Sequence, residues 1–182
     1  MTFRKVEESL VHDGRFVKVA VATFTGDDGA TTFTREVVRH RGAVGIVAID
    51  GDDVVLVRQF RPTIERELLE IPAGMLDVDG ESPIDAAVRE LEEEAGLRPA
   101  GPVTPLARYA VAPGLTDEWF EVFLVRAVTP CEARPQSAEE EAMTVERVPL
   151  SSVQALIASG EIEDAKTIIG LLLALGATES GS

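Results

Sequence analysis

Residues 74–97 read GMLDVDGESPIDAAVRELEEEAGL, and this stretch decides the fold. The run from Glu90 to Glu94 contains four carboxylates in five positions. On a helix, Glu90, Glu93 and Glu94 stand at i, i+3 and i+4, so they share one face, and each close pair of like charges costs about 0.2–0.5 kcal/mol. A stable protein therefore needs a reason to keep these carboxylates together.

The residues around the acidic run predict a helix with defined ends. Ser82 is placed as an N-cap, Pro83 stands in the first turn, Asp85 follows the cap by three residues, and Gly96 is a C-terminal stop. An apolar stripe is predicted beside the acidic face, formed by Ile84, Val88, Leu91 and Ala95. One side of the helix is thus expected in a core while the adjoining side presents oxygen ligands.

Two interpretations of the acidic face compete. A run of charges is most often a solvated surface that pairs with nearby Lys or Arg. Arg89 is the only basic residue of the stretch, which weakens that interpretation. Hard divalent cations such as Mg²⁺ prefer carboxylate oxygens and bind them together with substrate phosphates. The pattern therefore favours a site for divalent cations.

The stretch resembles the signature of the Nudix hydrolases, which is a glycine, a glutamate, then Arg-Glu-aliphatic-x-Glu-Glu-x-Gly-aliphatic. Glu81 lies eight residues before Arg89, as that signature requires, and the matching residues of the second half are Arg89, Glu90, Leu91, Glu93, Glu94, Gly96 and Leu97. Gly74 precedes Glu81 by seven residues instead of the usual six. Because Asp79-Gly80 is a natural turn pair, the loop is expected to absorb the extra residue without moving the helix.

Composition limits the class of protein. A chain of 182 residues with 45% hydrophobic residues suits one domain with a small appendage. A net charge of −15 disfavours nucleic acid and anionic membranes as partners. The single Cys131 excludes an intramolecular disulfide and, with no N-terminal signal region or long apolar span, predicts a cytoplasmic protein.

The pattern along the chain predicts an α/β fold. Alternation and turn residues predict strands at 16–24, 31–39, 43–49, 53–60, 68–71, 106–111, 118–127 and 144–149. Two further helices are predicted at 152–160 and 164–175. This order suits a Nudix-type α/β/α sandwich with a mixed sheet in residues 43–182, preceded by a small antiparallel β-domain in residues 1–42.

Motifs outside the acidic stretch resemble the ADP-ribose pyrophosphatase branch of that family. They are Glu36-Val37-Val38-Arg39-His40 with Gly42-Ala43-Val44, Arg58-Gln59-Phe60-Arg61, Glu70-Ile71-Pro72-Ala73-Gly74, and Pro113-Gly114 followed by Asp117-Glu118. Pro113 stands sixteen residues after Leu97, as in that branch, whereas Arg41 replaces a common proline. The resemblance implies hydrolysis of ADP-ribose to AMP and ribose 5-phosphate.

The resemblance also implies the residues of the reaction site. It implies two or more Mg²⁺ or Mn²⁺ ions, with Glu90, Glu93, Glu94 and the Ala73 carbonyl as ligands and with Arg89 holding the glutamates in place. A glutamate on a late loop is expected to orient water, and the candidates are Glu139, Glu140 and Glu141. Register favours Glu139 and then Glu141, although a solvated acidic loop is an alternative for each.

Substrate contacts are expected from residues of both predicted parts. They are Arg35, Arg61, Glu36, Pro113 and Gly114. Arg58 is a weaker candidate because alternation along the strand places it on the same face as Phe60 and not on the face of Arg61. Aromatic side chains that could stack on adenine, or equally be core residues, are Phe16, Phe24 and Phe33.

Two alternatives to ADP-ribose hydrolysis stay open. One is hydrolysis of another nucleoside diphosphate sugar or of a dinucleotide, and the other is a sensor that binds ADP-ribose without cleaving it. The complete glutamate set argues against a sensor.

The predicted N-terminal sheet of about forty residues buries too little surface to be stable alone, and the resemblance implies a homodimer with exchanged N-terminal strands. Arg35 would then contact substrate bound by the other chain.

Overall fold

The computed structural model describes residues 1–15 and 17–179, which form two compact units. The first unit is Met1–Gly42 with Tyr109–Trp119, and the second is Ala43–Arg108 with the chain from Phe120 onward. The first unit therefore includes a segment that the division after residue 42 assigned to the other part. No helix among the described residues is long and apolar enough to cross a membrane.

The predicted elements occur in the predicted order. The strands are β1 Phe3–Asp13, β2 Lys18–Gly26, β3 Thr32–Arg39, β4 Ala43–Asp50, β5 Asp53–Arg61, β6 Arg66–Glu70, β7 Ala73–Met75, β8 Leu97–Pro99, β9 Val103–Ala110, β10 Trp119–Val125, β11 Val128–Pro130 and β12 Thr144–Pro149. The helices are α1 Pro83–Ala95, α2 Ala138–Glu141, α3 Val153–Ser159, which follows a 3₁₀ turn at Leu150–Ser152, and α4 Ala165–Glu179. Of these elements, β1, β7, β8, β11 and α2 are additional to the predicted ones.

The first unit contains a three-stranded antiparallel sheet in the order β1-β2-β3. The predicted strands 16–24 and 31–39 correspond to β2 and β3, while β1 was not predicted. Ala20 and Ala22 on the central strand are buried, whereas every residue of β1 is exposed. The sheet therefore has a small core and a solvent-exposed edge strand.

The segment Tyr109–Trp119 is bound to β3 through its backbone. The Val38 N–H donates to the Leu115 carbonyl over 2.9 Å, and the Asp117 N–H donates to the Val38 carbonyl over 3.3 Å. The Asp117 carboxylate accepts a hydrogen bond from the His40 N–H over 2.9 Å and pairs with Arg39. These bonds explain why this segment belongs to the first unit.

A seven-stranded mixed sheet forms the centre of the second unit. Its main path runs β12-β5-β4-β10-β9, with β6 added to β5 and β7 added to β4. Strand β10 runs parallel to β4, whereas β5 and β7 run antiparallel to β4. Seven of the eight residues of β4 are buried, as expected for a strand covered on both faces.

Helices cover the two faces of β4. One face packs into a core cluster with α1 that contains Val44, Ile46, Ala48, Ala86, Ala87 and Leu91. On α4, a Cβ at Gly170 would stand 3.1 Å from Val47 and from Val122. Because successive strand residues point to opposite faces, α1 and α4 lie on opposite sides of the sheet. The predicted α/β/α sandwich with a mixed sheet is confirmed.

Candidate active site

The two ends of α1 form as the sequence predicts. The Ser82 hydroxyl accepts from the Asp85 N–H over 3.3 Å and donates to the Asp85 carboxylate over 2.6 Å. Gly96 ends the helix with a φ of 62°, in the left-handed region that glycine tolerates. The predicted cap and stop are therefore confirmed, and the register of the glutamates on the helix is fixed.

The buried face of α1 differs in part from the predicted stripe. Leu91 is buried as expected, but Ile84 is 36% exposed, and Ala86 and Ala87 are fully buried. Small alanine side chains let the helix approach the sheet closely. The helix is therefore turned so that Glu90 on the acidic face is also buried, with 8% of its surface exposed.

Glu90 occupies space that a side chain at residue 74 would need. A Cβ built on Gly74 would stand 2.1 Å from the Glu90 Cδ, a distance that no real Cβ contact tolerates. Gly74 belongs to β7, which pairs with β4. The glycine therefore allows the carboxyl group to lie directly against the backbone of the sheet.

Arg89 joins the carboxylates of α1 to the preceding loop. Its Nη1 donates to Glu90 Oε1 over 2.7 Å and to Glu93 Oε2 over 3.0 Å, and its Nε donates to Glu81 Oε1 over 3.0 Å. The hydrogen bond with Glu81 is the largest cause of a raised pKa for Arg89. Since Glu81 still reaches Arg89, the loop before it accommodates the extra residue.

Glu94 binds the backbone of β7. Its Oε2 accepts from the Ala73 N–H over 2.9 Å. Burial raises the pKa of Glu94 to about 8 and that of Glu90 to about 7. Both carboxyl groups therefore lose favourable hydration inside the protein and need positive charge to stay ionised.

The late acidic loop contains the short helix α2 and reaches α1. The Ser137 hydroxyl accepts from the Glu140 N–H over 3.2 Å and donates to Glu140 Oε1 over 3.0 Å. The Gln136 Nε2 donates to Glu93 Oε1 over 3.4 Å. The loop is thus tied to the glutamates of α1 through Gln136.

The three loop glutamates differ in their surroundings. Glu139 and Glu141 are exposed, whereas Glu140 is half-buried. The charge of Glu140 contributes to the raised pKa values of Glu90 and Glu94. Glu140 therefore differs from the other two in its burial, whereas register in the sequence favoured Glu139 as the residue that orients water.

Arg61 forms a bidentate ion pair with a buried carboxylate. Its Nε and Nη2 donate to the two oxygens of Glu70 over 2.7 and 2.6 Å, and Glu70 is only 1% exposed. Arg58 pairs instead with Glu146 and Glu161. A contact of Arg61 with substrate stays a prediction, and it would have to compete with this bidentate pair.

Four of the predicted substrate residues line one cavity of the first unit. This cavity has a volume of about 700 Å³ and is lined by residues that include Arg35, Glu36, Pro113 and Gly114. The Phe24 and Phe33 rings, which also line it, stack with centroids 5.4 Å apart. The Arg35 guanidinium lies 4.7 Å from the Phe33 ring centre. Phe16 lies outside the described residues.

Comparison with known proteins identifies the family of the chain. The NUDIX domain matches residues 39–169, more than two thirds of the chain. The chain belongs to the Nudix family. The Nudix match includes Gly74, Glu81 and the whole glutamate run of α1, so the resemblance predicted from the sequence is confirmed.

Two Nudix relatives are ADP-ribose pyrophosphatases. The ADP-ribose pyrophosphatase of Mycobacterium tuberculosis is 42% identical over 146 residues, which are 79% of this chain and 70% of that protein. The ADP-ribose pyrophosphatase of Bacillus subtilis is 34% identical over 165 residues, which are 90% of this chain and 88% of that protein.

A solved structure agrees with the fold of this Nudix protein. A crystal structure of an ADP compounds hydrolase superposes with a TM-score of 0.87, covering 99% of this chain and 96% of that one. The identity between the two chains is 24%, so the likeness shows the fold alone.

The donor set of α1 fits the divalent cations on which Nudix hydrolases depend. Glu90, Glu93 and Glu94 offer carboxylate oxygens only. Glu90 is already paired with Arg89, whereas burial raises the pKa of Glu94, so a nearby cation would stabilise the ionised form of Glu94. Across residues 1–15 and 17–179, no three His, Cys, Asp or Glu side chains converge as a metal-binding group. In this arrangement Arg89 and the Ala73 N–H hold the glutamates.

Sequence reasoning missed some residues that support the site. The Thr167 hydroxyl on α4 donates to the Asp164 carboxylate and accepts from the Ile71 N–H. An aspartate three residues before a threonine is a helix-start pattern, which was the available signal. That signal indicated only the start of a helix, because the contact between Ile71 and Thr167 joins residues 96 positions apart.

Proposed function

We propose that this Nudix protein hydrolyses the diphosphate bond of ADP-ribose and releases AMP and ribose 5-phosphate. The observation that carries the proposal is the set of Glu90, Glu93 and Glu94 on one face of α1, gathered around Arg89 and the Ala73 N–H. The names of the two pyrophosphatase relatives support ADP-ribose as the substrate.

We propose that two or more Mg²⁺ or Mn²⁺ ions bind to Glu90, Glu93, Glu94 and the Ala73 carbonyl oxygen. Bound divalent cations neutralise the charge of a diphosphate and lower the pKa of a water molecule. The buried carboxylates supply the matching negative charge, and Gly74 leaves room for the Glu90 carboxyl group.

The other residues of the site position the glutamates of α1 and accept a proton from the attacking water. Arg89 fixes the direction of Glu90 and Glu93, so the ligands are arranged before substrate arrives. In the reaction, the oxygen of the attacking water bonds to phosphorus, and the P–O bond to the leaving phosphate breaks. One glutamate of α2 accepts the proton that the water loses. The half-buried position of Glu140 supports that residue for this step.

We propose that the cavity of the first unit contributes the contacts with the nucleoside diphosphate. Arg35 carries the positive charge that an anionic substrate needs, and Glu36 can accept from a hydroxyl group. The stacked Phe24 and Phe33 rings offer an aromatic surface of the kind on which a base packs. Pro113 and Gly114 also line this cavity.

We also propose a homodimer with exchanged N-terminal strands. Strand β1 is an edge strand with exposed Val6, Leu10 and Val11, which are 46%, 50% and 60% accessible. Exposed apolar residues on a long edge strand favour pairing with another chain. In such a dimer, Arg35 of one chain would complete the substrate site of the other.

A substrate screen tests the proposed reaction. Purified protein with Mg²⁺ is incubated with ADP-ribose, ADP-glucose, NADH, diadenosine polyphosphates or coenzyme A, and phosphatase then releases phosphate from monoester products. We expect the fastest release with ADP-ribose and none when a chelator removes the cations. The Glu94→Gln variant provides the matched inactive control.

Other outcomes of the screen would contradict the proposal in distinct ways. Faster release from a different compound would assign another nucleoside diphosphate substrate. Binding of ADP-ribose in calorimetry, without any release from the whole panel, would identify a sensor rather than an enzyme.

A further inference from the structure

Thr167 connects α4 to the backbone that precedes β7. It is fully buried in the first turn of α4, and its Oγ1 accepts from the Ile71 N–H over 2.9 Å. The same hydroxyl donates to Asp164 Oδ2 over 2.8 Å. The hydroxyl thus uses one acceptor site and its only donor, so its orientation is fixed.

The segment from Ile71 to Ala73 is bound from three directions. The Ile71 N–H binds Thr167 on α4, the Pro72 carbonyl accepts from the Ile46 N–H of β4 over 3.0 Å, and the Ala73 N–H donates to Glu94 of α1. Pro72 has no N–H to offer. The bond from Ile71 to Thr167 therefore fixes the start of the segment that carries Ala73.

Charged side chains hold Thr167 and the start of the segment in one cluster. Asp164 accepts from the Thr167 N–H over 2.9 Å and from Lys166 Nζ over 2.6 Å. Lys166 Nζ also lies 3.8 Å from Glu70, the buried residue directly before Ile71. Both Glu70 and Ile71 are therefore tied to the beginning of α4.

We infer that Thr167 is a positioning residue for hydrolysis. By accepting from the Ile71 N–H, Thr167 positions the Pro72-Ala73 backbone so that the Ala73 N–H can donate to Glu94. Thr167 acts through this segment and touches no substrate. The inference rests on the proposed hydrolase function, in which Glu94 and the Ala73 carbonyl are ligands.

Two substitutions separate the hydroxyl group from the volume of the side chain. Thr167→Val keeps the shape and removes the acceptor for the Ile71 N–H, while Thr167→Ser keeps the hydroxyl group. We expect Thr167→Val to lower kcat by about 10-fold to 100-fold, as for other residues that orient ligands, with a change in KM below about threefold. Thr167→Ser should keep kcat within about threefold of the wild type.

Amide hydrogen exchange of the metal-free protein provides a readout independent of activity. In the Thr167→Val variant, the Ala73 amide should exchange at least about tenfold faster than in the wild type, because its bond to Glu94 opens more often. The Ser variant should retain the slow exchange. Faster exchange at Ile71 with unchanged exchange at Ala73 would overturn the inference.

Leu171→Val is the matched control for loss of stability. Leu171 is buried on the same helix, and the change removes one methylene group without removing a hydrogen bond. The control should preserve kcat and the Ala73 exchange rate. An equal loss of kcat in the control and in Thr167→Val would assign the effect to general destabilisation and overturn the inference.

Failure of the proposed function gives a different result. If the wild type cleaves another substrate, the same kcat comparison is made with that substrate. If it cleaves none, the proposed function fails, and the exchange rates at Ala73 in the Val and Ser variants still decide whether Thr167 positions the Ala73 backbone.

Discussion

The Glu90 carboxyl group lies where a side chain on Gly74 would have to stand, 2.1 Å between Cδ and a built Cβ. A glycine on β7 and a glutamate on α1 therefore form one structural unit. The glycine is required by the close approach of the carboxyl group, since its φ does not lie in the left-handed region. This contact connects the first residue of the signature with its metal-binding half.

We predict that Gly74→Ala disturbs activity more than stability. The atoms that the new methyl group would meet belong to the end of a flexible side chain, so the Glu90 carboxyl can move aside. The loss of stability should stay within about 1–3 kcal/mol, the usual range for overpacking, while kcat falls by about 100-fold. Thermal melts and steady-state kinetics measure both quantities.

Gly101→Ala is the matched control for that substitution, because a Cβ at Gly101 would have no neighbour within 4 Å. It should leave both the melting temperature and kcat near the wild-type values. Full activity of Gly74→Ala would show that the position of the Glu90 carboxyl is unimportant.

We predict that Glu94→Gln lowers turnover by about 100-fold or more at saturating Mg²⁺. The Gln amide oxygen can still accept from the Ala73 N–H, so the fold should remain intact. Glu92→Gln on the same helix is the control, because Glu92 lies 3.9 Å from Arg98 and outside the cluster around Arg89. Comparable turnover of wild type and Glu94→Gln would contradict the proposed ligand set.

The loop glutamates are distinguished by single Gln substitutions. A group that orients water acts mainly in the transition state, so its removal should lower kcat much more than it weakens ADP-ribose binding. We expect the largest effect for Glu140→Gln, because Glu140 is half-buried and its charge acts on Glu90 and Glu94. A larger effect of Glu139→Gln would favour the register in the sequence over this geometry.

Elements with local signals could be predicted from the sequence. Ser82 and Gly96 defined α1, and the turn Asp50-Gly51-Asp52 defined the pair β4 and β5. Strand β1 was missed because its sequence FRKVEESLVHD mixes charges with apolar residues and all of it is exposed. Periodicity identifies a strand by its buried face, and β1 has none.

Long-range contacts of the site could not be predicted in the same way. The Nudix signature indicated the glutamates of α1, but the pair Arg61–Glu70 depends on the register between β5 and β6. The contact between Ile71 and Thr167 depends on the packing of α4 against the sheet. Such contacts arise from tertiary structure, for which a single sequence has no local signal.

We predict that Asp164 stabilises the fold in a pH-dependent manner. Burial alone would raise the pKa of Asp164, yet the charge of Lys166 and the hydrogen bonds from Lys166 and Thr167 hold that pKa below its ordinary value of 3.8. Because the pKa is lower in the folded state, the contribution is complete above the unfolded pKa and is lost as pH falls through the folded pKa.

Asp164→Asn tests this contribution. At pH 7 the variant should be less stable by about 1.5–3 kcal/mol, the usual contribution of a hydrogen bond to a charged group. Urea unfolding at pH 7, 5, 4 and 3 should show the difference between the two proteins shrinking only in the acidic part of the range. A difference that is constant over the whole range would exclude a role for the charge.

We predict that subunits with lesions in different units complement one another. Arg35→Ala and Glu94→Gln should each be weakly active alone. In a homodimer with exchanged N-terminal strands, a mixed dimer has one site with both an intact Arg35 and an intact Glu94. Random mixing after unfolding and refolding should therefore restore up to about a quarter of the wild-type activity, since half of the dimers are mixed and one of their two sites works.

A mixture of Glu90→Gln and Glu94→Gln, whose lesions lie in the same unit, should restore none. A monomer of 19.5 kDa in light scattering that is fully active at assay concentration would contradict the proposed assembly.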